Sequence, residues 1–382
     1  MRRKQIPLSN GNALENIDLN DPFFNSQLIT YIGNKRRLLP FLNKGFRYVS
    51  ERLAKDKLTI LDGFSGSGAA ARLLKCYAKK FYVNDLENYC RTLNKCYLAN
   101  RSEVSLVKVK EYINWLNGHK LSRGKPGFIE LNYAPKDDDH IRPGERAFYT
   151  NRNAKIIDNI RRLIGSKIPD KYKAFCLAPL LVAASVHTNT SGVFKGFHKK
   201  LGVGHFGGSG ENALSRIKRE ILLEMPILSE NECEVHILQN DINELVKGPN
   251  MPEFDLVYYD PPYNQHPYGS NYFMLNLIND YKNTGIQEGV SGITKDWNKS
   301  LYNKRKFAET ALNDLLDNTR AKYILLSYNN EGIIPIDRLR PILKKQGKLQ
   351  LISQDYNTYR GSRNLKNRSI KVRELLWVLE KH

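Results

Sequence analysis

Four apolar or aromatic residues stand in a row from Leu256 to Tyr259, and the chain then meets Asp260, Pro261, Pro262 and Tyr263. The run reads as a short buried strand, because it is β-rich and bounded by Asp255 on one side and by two prolines on the other. Neither proline can donate to a ladder, so the strand must stop there. A carboxylate, a carbonyl that precedes a proline and an aromatic ring are thereby delivered together at the carboxyl edge of a strand. In open α/β sheets that edge is where ligands bind.

Three other stretches repeat the pattern of a strand that ends in acid. Leu58 to Leu61 runs into Asp62, followed by a small-residue turn carrying Gly63, Phe64, Gly66 and Gly68, then by residues of helical composition from Ala69 to Ala78. Glycines let the backbone approach a ligand, and a helix N-terminus favours polar or negative groups. The turn is neither G-x-G-x-x-G nor a Walker A loop. The next strand, from Lys80, ends at Asn84-Asp85, and a carboxylate there can accept from both hydroxyls of a ribose, with Glu87 in reserve. Asp85 could instead cap a helix over Leu86 to Leu98. Cys233 to Asp241 reads as a third such strand. Later elements are helices over Tyr272 to Tyr281 and Phe307 to Thr319, a polar loop over 282–304, and strands over Ala321 to Asn329, Leu349 to Tyr356 and Glu374 to Leu379.

Ahead of these, residues 1–26 read as a flexible arm, and Gln27 to Asn34 leads through a Gly33 turn into an apolar helix. Lys35 at that turn could hold a carboxylate or phosphate, or simply begin a basic helix. Residues 27–100 and 231–382 form the α/β part. Residues 101–230 break its rhythm and read as an insertion, with helical stretches at Ala154 to Ile164, Leu177 to Val186 and around Arg216 to Arg219. Within it Lys195, Lys199, Lys200, Arg216 and Arg219 are interleaved with aromatics and glycines, a composition suited to nucleic acid. A second basic loop carries Arg360 and Arg363. With 60 Lys+Arg against 39 Asp+Glu, a net charge of +21, a polyanionic partner is expected. The five cysteines form no C-x-x-C pair, no histidine set has metal-ligand spacing, and no apolar run is long enough to span a bilayer. The expectation is a cytoplasmic protein without a metal or a membrane partner.

Four carboxylates at one sheet edge define a cleft, and Asp260 to Tyr263 suggests its chemistry. The Asp260 side chain and the Pro261 carbonyl can both accept from one exocyclic amino group, held rigid by Pro262, while Tyr263 offers a face to a planar base that has left its stack. The ordered set of Thr30 to Lys35, Asp62 to Gly68, Asp85, a long insertion, Asp241 and Asp260 to Tyr263 resembles the Dam-like, D12-class, α-group DNA adenine-N6 methyltransferases, and within them the restriction-modification members. Thr30, Tyr31 and Asn34 depart from the family's Lys-Trp-Ala-Gly-Gly-Lys motif.

The resemblance implies a class I, Rossmann-like sheet that binds S-adenosylmethionine, with a helical target-recognition insertion. It implies base flipping of adenine in double-stranded DNA and a possible cognate restriction endonuclease. It places Tyr31, Lys35, Asp62, Phe64, Gly66, Gly68, Asp85, Asp241 and Asp260 at the cofactor. Methylation of RNA adenine or of a protein glutamine uses related motifs, usually with Asn in place of Asp260. A catalytically silent DNA-binding scaffold is the remaining alternative.

Overall fold

A computed structural model describes residues 17–382 apart from 123, 209, 283–284 and 358–370. Nine strands are found: β1 (Leu58–Asp62), β2 (Ala78–Asn84), β3 (Lys199–Lys200), β4 (Val203–Gly204), β5 (Glu234–Leu238), β6 (Phe254–Tyr259), β7 (Ala321–Asn329), β8 (Gly347–Asn357) and β9 (Lys371–Lys381). Seven form one sheet in the order β5-β2-β1-β6-β7-β9-β8, while β3 and β4 make a separate two-stranded hairpin. The strands from β5 to β7 are all parallel, and β9 inserts antiparallel between β7 and β8. This is a doubly wound α/β sheet, the Rossmann-like class expected from the sequence.

Side chains of the central strands alternate between the two faces, as the period of two requires. Ile60, Leu256 and Tyr258 pack with Phe46, Leu73 and Tyr77, from the helices Leu39–Leu53 and Ala69–Tyr77. Leu61, Val257 and Tyr259 point the other way, to Ile242, Leu312 and Leu339 of the helices Ile242–Lys247, Ala308–Asn318 and Ile336–Lys345. With both faces covered, β6 is buried along its whole length, which is why its sequence is a continuous apolar run. From β1 the chain winds outward to β2 and β5, then returns to β6 on the other side. The order reverses at β1 and β6, and the crevice at that reversal is where such sheets bind ligands.

The inserted region is helical: Leu106–His119, Phe128–Tyr133, Asn151–Lys167, Asp170–Val186 and Leu214–Lys218. Its apolar residues, among them Val109, Ile157 and Leu181, share one core with Tyr89 and Leu93 of Asn88–Tyr97 and with Phe273 and Leu277 of Phe273–Asp280. The insertion is therefore packed onto the helices that flank the cleft. All five cysteines are buried and free. No helix among the described residues is long and apolar enough to cross a membrane.

Several boundaries differ from expectation. Residues 17–26 of the expected loose arm are packed: Phe23 and Phe24 are buried, and the Arg72 guanidinium donates to the carbonyls of Phe23, Ser26 and Gln27. The strand before Asp241 stops at Leu238, and Asp241 is the N-cap of Ile242–Lys247, accepting from the backbone N–H of Asn243 and Glu244. The expected helix over Tyr272 to Tyr281 is two, Tyr268–Asn271 and Phe273–Asp280.

Candidate active site

The site is built on the Gly-rich turn after β1. Gly66 and Gly68 take positive φ, +51° and +81°, which a side chain would resist. Gly63 lies so close to Tyr259 that a Cβ would sit 2.5 Å from the ring. The turn is fixed from β2, where the Ser65 N–H donates to the Asn84 carbonyl and the Asn84 amide reaches the carbonyls of Gly63 and Asn240. Asp85 completes the latch, with Oδ2 accepting from the Gly66 N–H at 2.7 Å and Oδ1 from the Glu87 N–H at 2.9 Å. Asp85 thus latches the Gly-rich turn and faces the cavity, while the helix it was expected to cap begins only at Asn88, with Glu87 at the N-cap.

Around this turn lies a cavity of about 890 Å³. Of the residues expected at a cofactor, Tyr31, Lys35, Phe64, Gly66, Asp85, Asp241 and Asp260 line it, as does Pro262. Gly68 does not, serving instead as the N-cap of Ala69–Tyr77. Asp62 lies beneath the floor, fully buried, with Oδ1 accepting weakly from the Phe64 N–H and Oδ2 unpartnered. Burial, with Asp260 nearby, lifts its carboxyl well above the ordinary range. Burial likewise raises Asp85, against the pull of its backbone donors.

A second, open cleft of about 1730 Å³ adjoins the first. Both are lined by Tyr31, Gly33, Asn34 and Lys35, while Asp260 belongs to the first and Tyr263 to the second. Lys35 Nζ is 3.1 Å from Asp260 Oδ1 and 5.3 Å from the centroid of the Tyr263 ring. Burial pushes the Asp260 carboxyl up to about 6, against the lowering influence of Lys35. Burial opposes the Lys35 charge, but Asp260, then Tyr263 and Glu374, hold its ammonium well above the usual lysine value. Pro261 is buried behind this pair. The Tyr263 carbonyl accepts from the Ile333 N–H at 2.9 Å, which pins the ring beside Tyr328.

The loop that carries Lys35 is clamped by tyrosines that the sequence reading did not assign to the site. Tyr31 stacks on Tyr268 at 4.9 Å and on Tyr272 at 4.6 Å. The Tyr272 hydroxyl accepts from the Ile32 N–H, and the Tyr268 hydroxyl donates to the Ile32 carbonyl. The polar loop expected over 282–304 lines the first cavity with Asn298, Ser300, Tyr302 and Asn303, none of which was assigned to the site from sequence. Asn298 and Asn276 donate their amides to Glu87 Oε2, and burial lifts that carboxyl to about 7.

Among the expected nucleic-acid contacts, Lys195, Lys199, Lys200 and Arg219 are exposed. Lys199 stands over the Phe197 ring. Arg216 is half-buried, with its Nη1 engaged by the protein. Its guanidinium donates to the carbonyls of Val186 and Thr188, capping the end of Asp170–Val186, and burial draws its charge down from the ordinary value. Arg360 and Arg363 lie outside the described residues. The exposed Arg36 and Arg37, unassigned from sequence, border the open cleft. Among the described residues no group of His, Cys, Asp and Glu could hold a metal ion.

Comparison with known proteins accounts for this arrangement. Residues 31–342 match the family described as D12 class N6 adenine-specific DNA methyltransferase. The type II methyltransferase M.NlaIII of Neisseria lactamica is 30% identical over 362 residues, which cover 92% of this chain and 99% of that protein. M.CviAII of Paramecium bursaria Chlorella virus 1 is 27% identical, covering 87% of this chain and 93% of its own. The modification methylase StsI of Streptococcus sanguinis is 29% identical over 92% of this chain, which spans 52% of that longer protein. The chain with its Asp260-Pro261-Pro262-Tyr263 strand end belongs to the D12 class of N6 adenine-specific DNA methyltransferases.

Proposed function

We propose that this enzyme moves a methyl group from S-adenosylmethionine to N6 of an adenine flipped out of a short duplex site, as the modification half of a restriction-modification system. The observation that carries the reading is that Asp260, paired with Lys35, stands at the junction of the two cavities. One cavity is enclosed by acids and suits the cofactor; the other is open, bordered by Arg36 and Arg37, and suits DNA. The type II and modification names of the relatives support the restriction-modification part.

The cofactor fits the residues present. It brings an electrophilic methyl on a sulfonium, an ammonium and a ribose diol when bound. The unpartnered Asp62 Oδ2, buried under the turn, faces a need for a cationic group. Asp85 keeps lone pairs for ribose hydroxyls after serving Gly66 and Glu87. Asp241, which also lines the cavity, suits the cofactor adenine, and Gly66 lets Tyr31 pack on the turn, where a Cβ would meet the ring at 3.1 Å. Asp260 and the Pro261 carbonyl then accept from the two hydrogens of the target amino group, freeing the nitrogen lone pair for attack. Tyr263 supplies the stacking face and Pro262 the rigidity. Because Asp260 acts as an orienting acceptor, its ionised form is the active one. Lys195, Lys199, Lys200 and Arg219 hold phosphates, which positions the duplex without reading its sequence.

Expression in a methylation-free host followed by mapping of modified bases tests the reading. A sequence motif carrying N6-methyladenine that disappears with Asp260→Ala is expected. Unmodified DNA from cells holding folded, cofactor-competent enzyme would overturn it.

A further inference from the structure

Glu374 lies in β9, opposite Asn329 of β7 and Gln354 of β8, 5% exposed and bordering the open cleft with Val372. Its Oε2 is buried and, like Asp260 Oδ1, has no well-aligned hydrogen-bond partner among the described residues, though Asp260 Oδ1 keeps Lys35 as an ion-pair partner at 3.1 Å. Among the described residues the cation within ion-pair range is the Lys35 ammonium, 4.0 Å away, too far for a hydrogen bond and nearer to Asp260 at 3.1 Å. A buried carboxylate oxygen without a partner is costly, and such groups persist where something uses them.

The position of Lys35 shows what could use it. The ammonium rests against Asp260 and over the Tyr263 ring, so it occupies both the acceptor and the face that a target adenine needs. An Asp260 oxygen turned to Lys35 is a poorer acceptor for an incoming amino group, and a cation above the ring blocks stacking. Transfer therefore requires the ammonium to move away while staying paired, because an unpaired buried lysine is strongly disfavoured. A shift of roughly 1 Å would bring Nζ within charge-assisted hydrogen-bond range of Glu374. Tyr258 and Asp62 also face this space, but Tyr258 offers a neutral hydroxyl and Asp62 lies on the cofactor side.

We propose that Glu374 is a positioning residue that takes the Lys35 ammonium when the target amino group takes Asp260, so that Lys35 alternates between two carboxylates during base capture. The inference rests on the adenine-methylation reading above. It is an exchange of ion-pair partners and changes no covalent bond.

The test uses full-length enzyme, S-adenosylmethionine and genomic DNA from a methylation-free host. Glu374→Gln should keep its melting temperature and its calorimetric cofactor affinity, yet lose on the order of tenfold in kcat/KM for DNA. Added to Lys35→Met, it should cost nothing further, since the ammonium it is proposed to receive is gone. Should Glu374→Gln melt early, Glu374→Asp, which keeps the charge but shortens its reach, is expected to fold and fall between the two in kcat/KM. Wild-type kcat/KM in Glu374→Gln, or in Glu374→Asp where that variant carries the test, would overturn the proposal, as would a loss that adds in full to that of Lys35→Met. Wild-type enzyme that methylates no DNA adenine would overturn the underlying reading as well, and the two failures are told apart by that control.

Discussion

Replacing Lys35 with methionine should move the acid limb of the methylation rate to higher pH. The carboxyl of Asp260 titrates at about 6, lifted from an ordinary 3.8 by burial and held from rising further by Lys35. The lift of about two pH units corresponds to about 3 kcal/mol of preference for the neutral acid. The ionised form is the stronger acceptor for the target amino group and the one the mechanism uses. At pH 7 about nine-tenths of the groups are ionised and at pH 5 about one-tenth, so kcat/KM in wild-type enzyme should fall roughly tenfold between them. Removing a cation 3.1 Å away takes from Asp260 its main charge partner. Opposite charges at that range are worth about 1–3 units, so the midpoint should climb into the neutral or mildly alkaline range.

The assay is transfer of a labelled methyl group to DNA at saturating cofactor and limiting DNA, from about pH 5 to 9 at constant ionic strength, so that kcat/KM reports the enzyme before base capture, with Lys35 on Asp260. Glu87, at about 7, is another carboxyl able to give a limb in this window, and the buried Asp62, also raised, is a second. A Glu87→Gln control separates Glu87 from Asp260, because its limb should remain where Asp260 puts it. If folded Lys35→Met keeps the wild-type midpoint, Asp260 is not the group that titrates, and the role given to its charge is wrong.

Glu87→Gln makes its own prediction about stability. A carboxyl raised from 4.5 to about 7 in the fold opposes folding when ionised, by about 3 kcal/mol above pH 7, and that penalty disappears as pH falls below 4.5. Calorimetry should therefore find Glu87→Gln more stable than wild type at pH 8, by some part of that figure, with the gain shrinking toward pH 5. Asp85→Ala should weaken cofactor binding in titration calorimetry, and because it also frees the Gly66 N–H it should lower the melting temperature, by an amount equivalent to about 1–3 kcal/mol. Gly269→Ala would drive a methyl into the Asn298 backbone and toward Glu87, so displaced cover over the cavity and a weaker cofactor affinity are expected. Lys199→Ala and Lys200→Ala should each reduce the salt slope of DNA binding by about one, whereas Arg216→Ala should unfold at lower temperature through loss of the helix cap. A salt slope that stays fixed in the lysine variants would remove the 195–219 segment from the DNA interface.

The parts legible in the sequence were those written in local pattern. β1, β6 and β7 announced themselves because buried parallel strands need unbroken apolar runs, and Asp260 because two prolines end a strand wherever they fall. The polar run Gln239-Asn240-Asp241 shows where that legibility stops: a strand end and a helix cap favour the same residues, and only geometry assigns Asp241 to the cap. Ile336–Lys345 was not read as a helix, since it carries Pro341 and only Leu339 and Leu343 are buried along it. Leu106–His119 was missed in the same way, with three buried positions among polar ones.

What the sequence could not show are pairings between residues far apart in the chain. Arg216 sits in a basic, aromatic segment and matches a DNA contact by composition, yet its partners are the carbonyls at the end of a helix that finishes thirty residues earlier. Asn298 and Asn276 have no local signature at all, and gain a role only by closing on Glu87. Glu374 lies in a strand that reads as ordinary, and the cation that faces it belongs to a turn at the opposite end of the sequence. Both lie against the strand end at Asp260 because the antiparallel β9 is wedged beside β7, which brings the chain's last strand back to its first motif. A sheet of parallel strands alone would have left Lys35 with Asp260 as its single partner; the reversed strand supplies the second carboxylate, and with it a place for the ammonium to go when a base arrives.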